Sequence, residues 1–215
     1  MNIEEYARKH PKTKNAPISD VVLEQIERLP DNSKILDIGC TEGSTIRFLH
    51  NIFKDRFYYF GIDLSETRIK VAQNLNLSKT KFIVSNAQDI PLEDDHIDCI
   101  LSSQLIEHVE DESSLLFEVK RLLKPSGFFQ IDTVYKEKLA WYFYRSPSGW
   151  ALDPTHLREY SDIEYLKDLF EESGLSTQQL YKEQCFRVLG KRTALPIKIP
   201  IPGYYTLFII GTNKI

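Results

Sequence analysis

The chain has 215 residues, a formal net charge of -4, 42% hydrophobic residues and 27% charged residues. That length carries one compact domain with a large core. The composition excludes global disorder, and no run of about 18 apolar residues offers a membrane-spanning helix. The acidic balance argues against a nucleic-acid binder. Cys40, Cys99 and Cys185 form neither a CxxC metal pair nor a disulfide framework, which suits a reducing compartment. With no apolar signal core in MNIEEYARKH, the expected location is cytoplasmic.

Residues 1–17 read as a helical or flexible arm. Ile18, Val22, Ile26 and Leu29 recur at helical spacing over 18–29, and Pro30-Asp31-Asn32-Ser33 is turn chemistry. Lys34 to Ile38 is a short apolar strand ending at Gly39. A helix over 44–53, a strand from Phe57 to Ile62, a helix over 66–75, and strands from Lys81 to Val84 and Ile97 to Leu101 follow. An amphipathic helix over 112–123 presents Leu115, Leu116, Val119, Leu122 and Leu123, and Lys124-Pro125 stops it. Phe128 to Asp132 is the fifth strand.

This alternation predicts an α/β, Rossmann-like doubly wound sheet, mostly parallel, with helices on both faces. The pattern changes after residue 133, where Tyr135, Trp141, Tyr142, Phe143, Tyr144, Trp150 and Tyr160 crowd together. A helix over 162–172 is opened by a capping box, Ser161 with Glu164, and closes near Gly174. Strands over 178–186 and 204–210 bring the sheet to seven, the last antiparallel. Residues 187–203 hold Arg187, Lys191, Arg192 and Lys198 with no acid. They read as a solvated loop, with approach to a phosphate or a membrane surface as the rival role. The expected organisation is a single domain over 1–215: an arm (1–30), a core (31–133), an aromatic cap or acceptor insertion (134–160), and the last helix and strands (161–215).

The first strand runs into Asp37-Ile38-Gly39-Cys40-Thr41-Glu42-Gly43. Glycines there let a ligand approach the backbone and let the chain turn into a helix. The next strand ends at Asp63, where a carboxylate can accept from a ribose diol. Together these features indicate a nucleoside-containing ligand at the carboxyl edge of the sheet. The Gly-x-x-x-Gly spacing argues against a dinucleotide.

Lys34 to Ile131 resembles the core of the class I S-adenosylmethionine-dependent methyltransferases, in particular the small-molecule "type 11" group. Four blocks carry the resemblance: Ile35 to Gly43, Gly61-Ile62-Asp63-Leu64-Ser65, Asn86 to Leu92 followed by Asp98, and Ile106-Glu107-His108-Val109 through Leu123-Lys124-Pro125-Ser126-Gly127. The resemblance implies S-adenosyl-L-methionine as cofactor. It puts Asp37, Gly39, Cys40 and Gly43 along the methionine half and Asp63 on the ribose. Leu64 would lie against the adenine, Asn86 and Ala87 at its edge with Gln88 beside them, and the backbone near Ser102 at the methionine end. Two positions depart from the family pattern: Thr41 stands where a third glycine is common, and Asn86 where an acid is usual.

Methyl transfer from a sulfonium needs an aligned nucleophile, exclusion of water and, for an oxygen, a base. The histidines are His10, His50, His96, His108 and His156. Some relatives hold a divalent metal with Glu-x-x-Glu-His. Here the first position is Gln104, whose neutral amide weakens a hard-cation site, so no metal is expected. Asp153 to Tyr160 resembles a stretch that lies over the acceptor pocket in many type 11 enzymes. An imidazole suits proton transfer at neutral pH, so His156, and after it His108, are the catalytic candidates. Arg158 either binds an acidic group or pairs with Glu159. The expected reaction is O-methylation of a small-molecule or glycan- or lipid-linked acceptor. An RNA or protein methyltransferase, with 187–203 and Lys9, Lys12 and Lys14 as a basic face, stays open. So does a non-catalytic cofactor-binding partner.

Overall fold

The computed structural model describes residue 4 and residues 18–138, 140, 144–146, 149–151, 153, 155–189 and 197–214. Ser19 caps α1 (Asp20–Arg28): its hydroxyl accepts the Val22 N–H, and Val22 and Ile26 turn inward. The chain then alternates. β1 (Lys34–Ile38) leads into α2 (Ser44–Phe53), β2 (Tyr58–Asp63) into α3 (Glu66–Gln73), and β3 (Thr80–Val84) runs to β4 (Ile97–Ser103). α4 (Glu112–Leu122) is followed by β5 (Leu123–Lys136), a small hairpin of β6 (Tyr144–Ser146) and β7 (Gly149–Ala151), α5 (Ile163–Glu172), β8 (Leu175–Leu189) and β9 (Ile197–Asn213).

The seven-stranded sheet has the order β3-β2-β1-β4-β5-β9-β8. Pairings from β3 through β5 are parallel, while β9 runs antiparallel to both β5 and β8. The expected antiparallel last strand is therefore present, inserted between β5 and the edge. Four of the five β1 residues are buried because both faces of the sheet are covered. Ile38, Ile62, Ile100, Leu116 and Phe129 belong to one core, and Val22, Ile35, Phe57, Tyr59 and Phe82 to the other. The strand order reverses between β1 and β4, which opens a crevice at their carboxyl ends.

Three local expectations are corrected. The cap of α5 is Asp162, whose Oδ1 accepts the N–H of Glu164 at 2.9 Å and of Tyr165 at 3.3 Å. Ser161 is held one residue too early by the Tyr135–Tyr160 bridge. The segment over 187–203 is no plain loop, because Arg187, Val188 and Leu189 pair with Ile199, Lys198 and Ile197 and lengthen β8 and β9. Pro200 sits opposite Phe186, next to a register shift between Gln184 and Phe186, where a residue lacking an N–H is tolerated. Arg158 pairs with Glu112 at 2.7 Å rather than with Glu159. The expectations for Trp141, Tyr142, Phe143, Lys191, Arg192, Lys9, Lys12, Lys14 and most of the arm fall outside the described residues. Among the described residues no helix is long and apolar enough to cross a membrane.

Candidate functional site

The turn after β1 has positive φ at Gly39 (78°), Thr41 (51°) and Gly43 (74°). A Cβ on Gly43 would stand 2.8 Å from the Phe82 ring, so both the conformation and the space there call for glycine. Thr41 adopts left-handed backbone with a branched side chain, at a cost of roughly 1–2 kcal/mol. What holds it is Asp63: Oδ2 accepts the Thr41 N–H at 3.0 Å, while Oδ1 accepts the Ser65 N–H at 2.9 Å. A carboxylate offers about four lone-pair sites, so this clamp leaves Asp63 further acceptor capacity. Leu64, the next residue, is 53% exposed, an apolar side chain beside a buried acid.

Asn86 closes a turn, with Oδ1 accepting the Gln88 N–H at 3.0 Å. Ala87 packs on the core, and the Gln88 amide donates to the Asp111 carbonyl at 2.9 Å, tying this loop to the start of α4. Cys40 is buried with its sulfur close to Gly61. Ser102 lies opposite Ile38 in the β1–β4 register, buried, and its Oγ has no hydrogen-bond partner among the described residues. Asp98, quoted with the third sequence block, sits at the opposite edge of the sheet. There it accepts the Lys34 N–H and the Lys124 ammonium, joining the starts of β1 and β5.

The crevice is acidic. Burial, reinforced by Asp63 and Asp132, pushes the Asp37 carboxyl up to about 8. Asp132 on β5 accepts from Ser103 Oγ at 2.9 Å and Gln104 Nε2 at 3.0 Å, yet burial still pushes it up to about 7, with Glu107 adding to the rise. Carboxyls in a low-dielectric site favour a cationic ligand. Asp132 is a candidate site residue that sequence reasoning missed. Its one signal is an acid ending the strand-like stretch Phe128-Phe129-Gln130-Ile131.

Of the histidines among the described residues, two meet at this edge. His50 contacts Ser78, and His96 contacts Lys34 near the far edge. His108 and His156 have ring centroids 5.0 Å apart. The Leu157 N–H donates to the Glu107 carbonyl at 2.9 Å, and Arg158 donates to the carbonyls of Ile106, Val109 and Glu110. Arg158 thus staples the two segments together. His108 Nδ1 donates to the Thr155 carbonyl at 3.2 Å, and His156 Nδ1 donates to Glu159 Oε1 at 2.7 Å. Glu159 is itself fixed by the Tyr204 hydroxyl at 3.2 Å and by Lys136 at 3.6 Å. Glu107 accepts the Thr133 hydroxyl at 2.9 Å.

A parallel sheet that reverses at β1 and β4, with a glycine turn and a strand-tip acid at the reversal, is Rossmann-like, and in such sheets ligands bind in the crevice at the reversal. Residues 36–131 match the type 11 "Methyltransferase domain" family. That match covers less than half of the chain, and over it the chain is similar to the S-adenosylmethionine-dependent methyltransferases of that group. It is 26% identical over 189 residues to the uncharacterized protein MJ1123 of Methanocaldococcus jannaschii, covering 85% of this chain and 87% of that one. It is 29% identical over 119 residues to the ubiquinone biosynthesis O-methyltransferase of Bartonella tribocorum, covering 53% and 46%. The crystal structure of a SAM-dependent methyltransferase from Aquifex aeolicus superimposes with a TM-score of 0.67 at 18% identity, over 98% of both chains, a likeness of fold. The chain spans about a third of the length of several curated relatives that it matches.

Proposed function

We propose that the protein methylates a hydroxyl oxygen of a small-molecule or glycan-like acceptor, activated at His108 and His156. The observation that carries this reading is the hydrogen bond between His156 and Glu159. With Nδ1–H held by a buried carboxylate, the lone pair of His156 sits on Nε2, where it can accept a proton. The acceptor oxygen attacks the cofactor methyl, the S–C bond breaks as the O–C bond forms, and the hydroxyl proton passes to Nε2. S-adenosylhomocysteine and the methyl ether are the products.

In this reading Asp37, Gly39, the Cys40 backbone and Gly43 hold the methionine half, with the backbone at Ser102 at its end. Asp63 takes the ribose hydroxyls, and Leu64 covers one adenine face. Asn86 and Ala87 meet the adenine edge, and Gln88 fixes their loop. The relatives' names include both an N-methyltransferase of ajmaline and an O-methyltransferase of ubiquinone biosynthesis. A buried, carboxylate-oriented base favours oxygen here, because a neutral amine needs no base.

The test uses methyl-labelled cofactor with a panel of sugar, phenol, amine, RNA and protein acceptors. Label is expected on a hydroxyl. His156→Gln should lower kcat by roughly 10²–10⁴-fold, with cofactor affinity unchanged. Label found only on amines, RNA or protein contradicts the proposal.

A further inference from the structure

We infer that Asp132 binds a protonated amine on the acceptor, so that the substrates of this site are amino alcohols or amino sugars and the methyl group is steered to oxygen. The inference deepens the reading above and rests on it. It adds the acceptor's charge and the residue that recognises that charge.

Strand register gives the position. Asp37 on β1 lies opposite Leu101 on β4, and Leu101 opposite Gln130 on β5. Asp132 is two residues beyond Gln130 and on the same face, so it stands about 7 Å further toward the carboxyl edge than the line through Asp37. It also lies two strand spacings, about 10 Å, to the side. Asp63 reaches the glycine turn through the Thr41 N–H. Asp132 instead neighbours Thr133, whose hydroxyl donates to Glu107 at 2.9 Å. One side-chain oxygen of Glu107 and one ring nitrogen each of His108 and His156 lie within 4.8 Å of one another. Asp132 therefore belongs with the imidazoles, on the acceptor side of β4.

The chemistry follows from one oxygen. Asp132 is fully buried. Its Oδ1 accepts from the Ser103 hydroxyl at 2.9 Å and the Gln104 amide at 3.0 Å, while Oδ2 has no hydrogen-bond partner among the described residues. Two cations near the histidines are engaged by other acids: Lys136 lies 3.6 Å from Glu159, and Arg158 2.7 Å from Glu112. Neutral donors on one oxygen leave a buried carboxylate poorly compensated. An ammonium on Oδ2 supplies both the missing donor and the missing charge, whereas a hydroxyl supplies only the donor.

This pairing decides where the methyl group goes. An adjacent carboxylate favours the protonated amine, and an ammonium nitrogen has no lone pair with which to attack. The hydroxyl oxygen keeps its lone pair. It takes the methyl group as the S–C bond breaks, and its proton passes to His156 Nε2. Asp132 changes neither bond; it holds the acceptor and silences the competing nucleophile.

The experiment uses protein loaded with S-adenosylhomocysteine and paired probes that differ in one amine: glucosamine against glucose, ethanolamine against ethanol, and dopamine against ethylcatechol. In calorimetry at least one aminated probe is expected to bind about tenfold more tightly than its twin. Asp132→Asn keeps an oxygen for Ser103 and Gln104 and removes the charge. It should erase that difference, while S-adenosylhomocysteine affinity changes by less than about threefold. With methyl-labelled cofactor, the wild type should label oxygen on the favoured probe, and Asp132→Asn should shift label to nitrogen. The wild-type comparison tests the inference even where the variant fails to fold. No aminated probe outbinding its twin, label on nitrogen in the wild type, or a preference retained in the folded variant overturns it. So does a variant whose one loss is affinity for S-adenosylhomocysteine, which assigns Asp132 to the cofactor. Methylation of neutral hydroxyls without regard to the amine removes this inference and leaves the proposed oxygen chemistry standing, so the two failures are distinct.

Discussion

Asp37 occupies the end of a strand buried on both faces, and its Oδ2 has no hydrogen-bond partner among the described residues. Its carboxyl is raised from 3.8 to about 8 by burial and by the nearby Asp63 and Asp132. The native protein therefore keeps a proton that the unfolded chain has released between these values. This group's contribution to stability is complete below about pH 4 and is lost as the pH rises through about 8. A cofactor carrying a sulfonium and an ammonium favours the carboxylate. Cofactor binding at pH 7 should thus release protons, seen as a calorimetric enthalpy that changes with the ionisation heat of the buffer. Affinity should tighten from pH 6 to 8, and Asp37→Asn should flatten both dependences. Asp63 was legible in the sequence because a strand-tip acid following a glycine turn has a local signature. Asp132 was not, since its place beside Ser103 is set by the β4–β5 register. Thr41 shows the limit of reading by type: its positive φ is imposed by the bond to Asp63, twenty-two positions away.

At the scale of elements, the strand–helix alternation through β5 was readable because each piece carries its own periodicity and stop signals. The ends were less so. β8 and β9 outrun the expected strands because each supplies the other's ladder bonds, which no single segment announces. The start of α5 turns on one residue. Ser161 and Asp162 both suit a cap, and the bridge from Tyr135 to Tyr160, with the Tyr135 hydroxyl on the Ser161 carbonyl, selects Asp162. Asp162→Ala should accordingly cost about 1 kcal/mol in chemical denaturation, while Ser161→Ala should change stability by less than about 0.5 kcal/mol. The reverse ranking would return the cap to Ser161.

Across the described residues, the sheet's reversal gathers β1, β2, the turn after β4 and the end of β5 around one crevice, and the segment over 155–160 closes on it from beyond. The residues of the proposed cofactor half could be grouped from sequence because they follow their strands directly. Those of the proposed acceptor half could be read only as two separate histidines. Their meeting depends on Arg158 and on the chain's return after β5, which are facts of the fold. The central claim is that this crevice binds S-adenosylmethionine through Asp63, and calorimetry of the wild type and Asp63→Ala with S-adenosylmethionine and S-adenosylhomocysteine tests it most directly. The account predicts micromolar binding of both ligands by the wild type. It predicts at least a hundredfold loss in a variant that circular dichroism shows to be folded, since two hydrogen bonds to a charged group contribute roughly 1.5–3 kcal/mol each. Absence of binding by the wild type, or undiminished binding by the variant, would contradict it.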